Sequence, residues 1–232
     1  MSAPHSASAL ISIFYKQAAE PVIEALNEAG VRIYASGGTA EHIANMEIMC
    51  EDISDLTGYP SILGGRVKTL HPVVFGGILS KRGDTSHEED LTKHKIPTFD
   101  IVMVELYPFE ETLKETDDEA KLIEKIDIGG VALLRAAAKN YKDVLVIPGA
   151  RYYPRVLELL KEHGPNFSLE ERRWFAGEAF RLTQAYDQQI ATWFGQMNAE
   201  HPHGGYSLRY GENPHQAATY TGDLGSQVEV LG

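Results

Sequence analysis

The sequence predicts an α/β protein whose sheet is mostly parallel, with helices on both faces. Short β-branched runs alternate with amphipathic helical stretches along most of the chain, which is the pattern of strands covered on both sides. Ala9–Ala35 also reads as one complete β-α-β unit. With 232 residues, 43% of them hydrophobic, the chain is long enough to bury a full core.

The predicted strands are Ala9 to Phe14, Val31 to Ala35, Ile101 to Leu106 and Val144 to Ile147, with weaker ones around Ile48 and at Gly77 to Leu79. Between the first two, Ala18 to Ala29 reads as a helix: Val22, Ile23 and Leu26 share a face, Pro21 suits a first turn and Gly30 a stop. A short helix is predicted from about Ala40 and another over Val131 to Asn140. After the fourth strand, Tyr153 to His163 and Leu169 to Phe194 read as helices flanking the sheet, with no strand between them. From Gly195 the chain turns polar and Gly-rich, as a linker does.

The formal charge is -12, which argues against sequence-independent contact with nucleic acid or an anionic membrane. Two windows depart from that balance. Leu56–Gly83 holds no Asp or Glu but carries Arg66, Lys68, Lys81 and Arg82; Ile128–Lys142 likewise carries only Arg135, Lys139 and Lys142. Each is a candidate anion site or simply a solvated surface. The single cysteine, Cys50, excludes an intramolecular disulfide framework and is read as a buried packing residue. No signal sequence is evident, and no run approaches the ~20 apolar residues of a membrane helix, so a cytoplasmic location is expected.

In open α/β sheets ligands bind beyond the carboxyl ends of the strands, and those positions carry the chemistry here. Lys16 follows the first strand. Ser36-Gly37-Gly38-Thr39 follows the second and opens a helix, as either a phosphate loop or a plain turn with a Thr cap. Tyr107 follows the third, as an edge hydroxyl or an aromatic plug. Asp127, before Ile128-Gly129, is either a helix cap or a carboxylate able to take a proton beside free amides. Arg66-Val67-Lys68-Thr69 adds cations and a hydroxyl; His71, just before Pro72, is read mainly as structural. Five loops converging on one sheet edge predict a pocket for a phosphate-bearing, nucleotide-like anion.

Ser36-Gly37-Gly38-Thr39, Gly64-Gly65-Arg66-Val67-Lys68-Thr69-Leu70-His71-Pro72, Leu106-Tyr107-Pro108-Phe109, Ile126-Asp127-Ile128-Gly129-Gly130 and Arg135-Ala136-Ala137-Ala138-Lys139-Asn140 occur in that order. Together they closely resemble the IMP cyclohydrolase domain of the bifunctional purine biosynthesis family. Leu208-Arg209-Tyr210-Gly211-Glu212-Asn213-Pro214-His215-Gln216 resembles the entry to that family's AICAR transformylase domain. The resemblance implies a cyclohydrolase domain over residues 1–195, a linker and the start of a transformylase over 196–232, and no transformylase activity in this chain. It also implies a methylglyoxal-synthase-like three-layer α/β/α sandwich, a homodimer, and closure of the formamido nucleotide FAICAR to IMP with loss of water. That reaction needs no metal and no redox cofactor.

Carried over by motif, the catalytic group is Lys68, Tyr107, Asp127 and Lys139, and the binding group is Ser12, Lys16, Ser36, Gly37, Gly38, Thr39, Arg66, Val67, Thr69, Ile128 and Gly129. One straight helix would set Asp127 and Lys139 ~18 Å apart, so the expectation is that the helix is short and the chain turns back. The other ways out are a neighbouring site for Lys139 or a role at its own helix terminus. Phe14-Tyr15 stand where many relatives carry Ser-Asp, and Glu105 where an Asn is common, which puts base and ribose contacts in question. The competing readings are a regulatory module that binds a phosphate effector, and methylglyoxal synthase. A regulatory module has no need of Lys68, Tyr107 and Asp127 around one pocket.

Overall fold

Ala9, Leu10 and Ile11 are consecutive, apolar and all buried. Successive strand residues face opposite ways, so such a run fits only the interior of a sheet covered on both faces. The computed structural model, which describes residues 7–60, 62–197, 205–208 and 218–221, places it there. Strands β1 (Ser8–Ser12), β2 (Arg32–Ala35), β3 (Cys50–Asp52), β4 (Ile101–Val104) and β5 (Leu145–Ile147) form an all-parallel sheet in the order β3-β2-β1-β4-β5. β4 is buried along its whole length beside β1. Cys50 lies on the edge strand, paired on one side only, and is half-buried while Met49 is exposed; the edge position overturns the fully buried reading.

Helix α1 (Lys16–Glu28) buries Ala19, Val22, Ile23 and Leu26, spaced for one helical face. It begins two residues before the predicted start, which leaves Pro21 inside rather than in the first turn. The cause lies in Glu105, whose carboxylate accepts the Phe14 and Tyr15 amides at 3.0 and 2.6 Å and so satisfies donors ahead of the helix. Helix α2 (Gly38–Asn45) follows β2, and α3 (Ile53–Thr57) follows β3.

The predicted strand at Gly77 to Leu79 is instead the end of α4 (Pro72–Leu79). His71 Nδ1 accepts the Val73 amide at 3.2 Å and Pro72 occupies the first turn, both of which start a helix. Val74, Gly77 and Ile78 are buried, and at Gly77 a Cβ would collide with the Pro97 carbonyl and the Phe99 ring. Helices α5 (Thr85–Lys93), α6 (Phe109–Glu115) and α7 (Glu119–Ile123) lead to α8 (Gly129–Lys139), which packs on β4, β5 and α4. Helix α9 (Tyr153–His163) packs on α1.

Helix α10 spans Leu169–Met197. Its Arg172 guanidinium donates to the Tyr141 carbonyl at 3.0 Å and the Lys142 carbonyl at 2.7 Å, just beyond the end of α8. The chain divides between Tyr186 and Asp187 into two units. The second contains an antiparallel pair, β6 (Gly205–Leu208) and β7 (Ala218–Thr221). Most of the Leu208–Gln216 motif lies outside the described residues. Among those residues no helix is long and apolar enough to cross a membrane.

Candidate active site

The strand order reverses between β1 and β4, because the chain first winds outward through β2 and β3 and then returns to the other side of β1. Such a switch point leaves a crevice at the carboxyl ends of the strands. Here it is a cleft of about 640 Å³. Ser12 and Lys16 reach it after β1, Ser36, Gly38 and Thr39 after β2, and Tyr107 after β4. Arg66, Lys68 and Thr69 enter from the first acid-free window, and Asp127, Ile128 and Gly129 from the turn before α8.

One end of the cleft is lined by a glycine loop and two lysines. Gly37 has φ +54°, a left-handed conformation that favours glycine, and it precedes the first turn of α2. Lys68 Nζ would stand 3.4 Å from a Cβ at Gly37, and Lys16 Nζ 3.7 Å from one at Gly38. Two ammoniums therefore overhang the Ser36–Thr39 loop, and neither is in an ion pair among the described residues. Thr39 contributes differently: its hydroxyl bonds the Ile13 amide and carbonyl, each at 3.3 Å, and so ties the end of β1 to α2.

The other end holds Asp127 and Tyr107. Asp127 Oδ1 accepts the Gly130 amide at 2.7 Å, and the amides of Tyr107 and Gly129 also favour its anion. Burial outweighs these donors and the Lys68 ammonium, and lifts the Asp127 carboxyl above its usual range. Gly130 leaves no alternative here, since a Cβ would strike the Asp127 carboxylate. Burial, then the Asp127 charge, pushes the Tyr107 phenol up as well. Phe14 meets the Tyr107 ring edge-on at 5.6 Å, and Lys125 Nζ lies 5.2 Å from the Phe14 ring centre and 5.9 Å from that of Tyr107.

Not every motif residue arrives at this cleft. Helix α8 runs unbroken to Lys139, so the expected turn-back does not occur; Lys139 is exposed at the far end, outside the cleft lining. It stands in the last turn of α8, a position from which an ammonium can complement a helix carboxyl end. Val67 is also outside the lining, its backbone bridged to Ile62. Arg66 does line the cleft, with its guanidinium held by Glu124. Glu105 is buried and fully engaged: besides the Phe14 and Tyr15 amides it accepts the Tyr153 hydroxyl at 2.6 Å, so its place beside an anion site is explained by the fold.

Sequence reasoning missed Lys125 altogether and gave Phe14 no role in the cleft. Lys125 sits between Glu124 and Asp127, where an isolated cation reads as solvated surface. The one available signal was its position two residues before a candidate catalytic carboxylate. Among the described residues no cluster of His, Cys, Asp or Glu is placed to hold a metal ion.

A five-stranded parallel sheet with a Gly-Gly turn and a cleft at its switch point fits a methylglyoxal-synthase-like domain, and the MGS-like domain profile matches residues 18–132. The AICARFT/IMPCHase bienzyme profile matches residues 137–231. The chain belongs to this bienzyme family of purine biosynthesis. The bifunctional purine biosynthesis protein PurH of Bacteroides thetaiotaomicron is 46% identical over 228 residues, covering 97% of this chain and 45% of that protein. The PurH of Cutibacterium acnes is 42% identical, covering 90% and 42%. The crystal structure of ForH superposes with a TM-score of 0.71 at 35% identity, covering 82% of this chain and all of that one. This chain thus spans less than half the length of the curated relatives it matches.

Proposed function

We propose that this chain is an IMP cyclohydrolase, closing FAICAR to IMP with loss of water. The observation that carries the reading is the pairing of two unpaired ammoniums over the Ser36–Thr39 loop with Asp127 and Tyr107 in the same cleft. Lys16, Lys68 and the loop bind the 5′-phosphate, with Ser12, Arg66 and Thr69 along the ribose and base. The carboxamide nitrogen of the substrate then attacks the formyl carbon of the same molecule. Holding the two groups together is worth effective molarities of ~10⁵–10⁸ M, so positioning supplies much of the rate.

Asp127 takes the carboxamide proton; a carboxyl lifted by burial is a stronger base than an exposed one. The Tyr107 hydroxyl and the Ile128 amide hold the developing oxyanion, while the Gly129 amide favours Asp127 itself. The proton held by Asp127 and the one lost from the former formamide nitrogen leave with the carbinolamine oxygen as water, and the C=N bond formed in its place completes the purine. Lys139 stays outside this assignment. Assembly as a homodimer belongs to the same reading, supported by the exposed Trp174 and Phe180 on α10, and sedimentation velocity tests it.

Ultraviolet absorbance on addition of FAICAR is the direct test. Steady conversion to IMP is expected, with K68A and D127N each at least ~100-fold slower. Near-wild-type turnover in both variants would refute the roles, and no IMP from the wild type would leave an effector-binding module standing.

A further inference from the structure

We propose that Tyr186, on α10, is a positioning residue for the active site, its hydroxyl fixing the turn that aims Lys125 and Asp127 into the cleft. The role rests on the cyclohydrolase reading for its catalytic consequence, while the tie itself is a matter of geometry. Tyr186 Oη donates to the Lys125 carbonyl at 2.7 Å and accepts the Asp127 amide at 2.9 Å. The residue is buried, and its ring stands edge-on to Phe109 at 6.4 Å, so the hydroxyl is held in place.

The turn between α7 and α8 needs such a tie. The Lys125 and Ile126 amides bond back to the Leu122 and Ile123 carbonyls at 3.0 and 3.1 Å, and Gly130 bonds forward to the Asp127 side chain. That leaves the Lys125 carbonyl and the Asp127 amide, for which Tyr186 is the partner among the described residues. One hydroxyl thus bridges the two residues whose side chains carry the ammonium and the carboxylate.

The far end of α8 is held by the same helix. Arg172, about four turns earlier on α10, donates to the Tyr141 and Lys142 carbonyls just past Lys139. Helix α10 therefore braces α8 at both ends, and only the Tyr186 end faces the chemistry. Misplacing a reacting group by ~1 Å can cost about 100-fold in rate. The phosphate loop and Lys16 and Lys68 are carried by other elements, so binding should be spared.

Y186F keeps the ring and removes both hydrogen bonds. Its kcat for IMP formation should fall roughly 10- to 100-fold, with KM within about threefold of wild type. Amide hydrogen exchange should speed up over residues 125–130, and the acid limb of kcat/KM should move. R172M breaks the other brace and should lower Tm while leaving kcat within about twofold. Wild-type kcat in Y186F, an equal kcat loss in R172M, or a Y186F chain that fails to fold would each overturn the role. Absence of IMP from the wild type would sink the cyclohydrolase reading instead; exchange at 125–130 then decides the tie, and unchanged exchange in Y186F overturns it.

Discussion

Asp127 and Glu105 are two carboxylates of one cleft with opposite circumstances. Glu105 accepts three hydrogen bonds from the Phe14 and Tyr15 amides and the Tyr153 hydroxyl, which makes it part of the scaffold. Asp127 is under-compensated, and burial holds its carboxyl above the usual range. With the Asp127 anion as the proposed base, activity should appear only as pH rises through that raised pKa, putting the acid limb of kcat/KM above the ordinary aspartate value of ~3.9. The same shift costs stability. A raised folded-state pKa means the folded chain binds the proton more tightly than the unfolded one, so stability is lost as pH climbs from the unfolded value through the folded one. D127N cannot ionise and keeps an oxygen for the Gly130 amide. It should therefore melt above wild type near neutral pH, with the gap closing towards pH 3 to 4; thermal melts across that range check it, and a constant gap would contradict the cause. Tyr107 was legible because it follows a strand, Asp127 because it precedes a helix, and Lys68 because it stands in an acid-free window. The use of Glu105 was not, since its partners lie 48, 90 and 91 residues away.

At the scale of elements, strands were legible where they are buried, β5 at the sheet edge included, and helices where they are amphipathic. Helix α4 escaped because it is apolar nearly all round, and a buried segment lacks the polar face that reveals a helical period. The α8 entrance shows the reverse case, in which local propensity and tertiary demand disagree. Replacing Gly130 by Ala gains about 1 kcal/mol of intrinsic helix preference. Yet the new Cβ would meet the Asp127 carboxylate and approach Leu106 Cδ2 to 2.9 Å. Overpacking of that kind costs about 1–3 kcal/mol, and it falls on the carboxylate proposed as the base. G130A should be destabilised by up to about 2 kcal/mol in urea unfolding and lose far more activity than stability. An Ala that raised stability with full turnover would show that the entrance is looser than the packing indicates. Lys139 marks a further limit of sequence reasoning: a motif supplies the residue, but only the unbroken helix shows that it leaves the cleft at this end.

Across the whole molecule, the charge of -12 coexists with a cleft edge on which Lys16 and Lys68 make no ion pair among the described residues. Of the four cations in the acid-free window from Leu56 to Gly83, Arg66 and Lys68 reach the cleft, while Arg82 pairs with Asp100 ahead of β4. The phosphate group should then carry most of the ground-state recognition, and a ligand lacking it should meet little attraction. Any ligand that binds only the folded chain raises stability by RT ln(1 + [L]/Kd), about 2.7 kcal/mol at a hundredfold excess over Kd. IMP should therefore raise Tm by several degrees under conditions in which inosine, identical but for the phosphate, gives almost no shift. The IMP shift should shrink in K16A and K68A and fall with added salt as the exposed charges are screened over a Debye length of ~8–10 Å. Equal shifts from IMP and inosine would place recognition in the base and ribose, and would remove the reason for two unpaired ammoniums over the glycine loop.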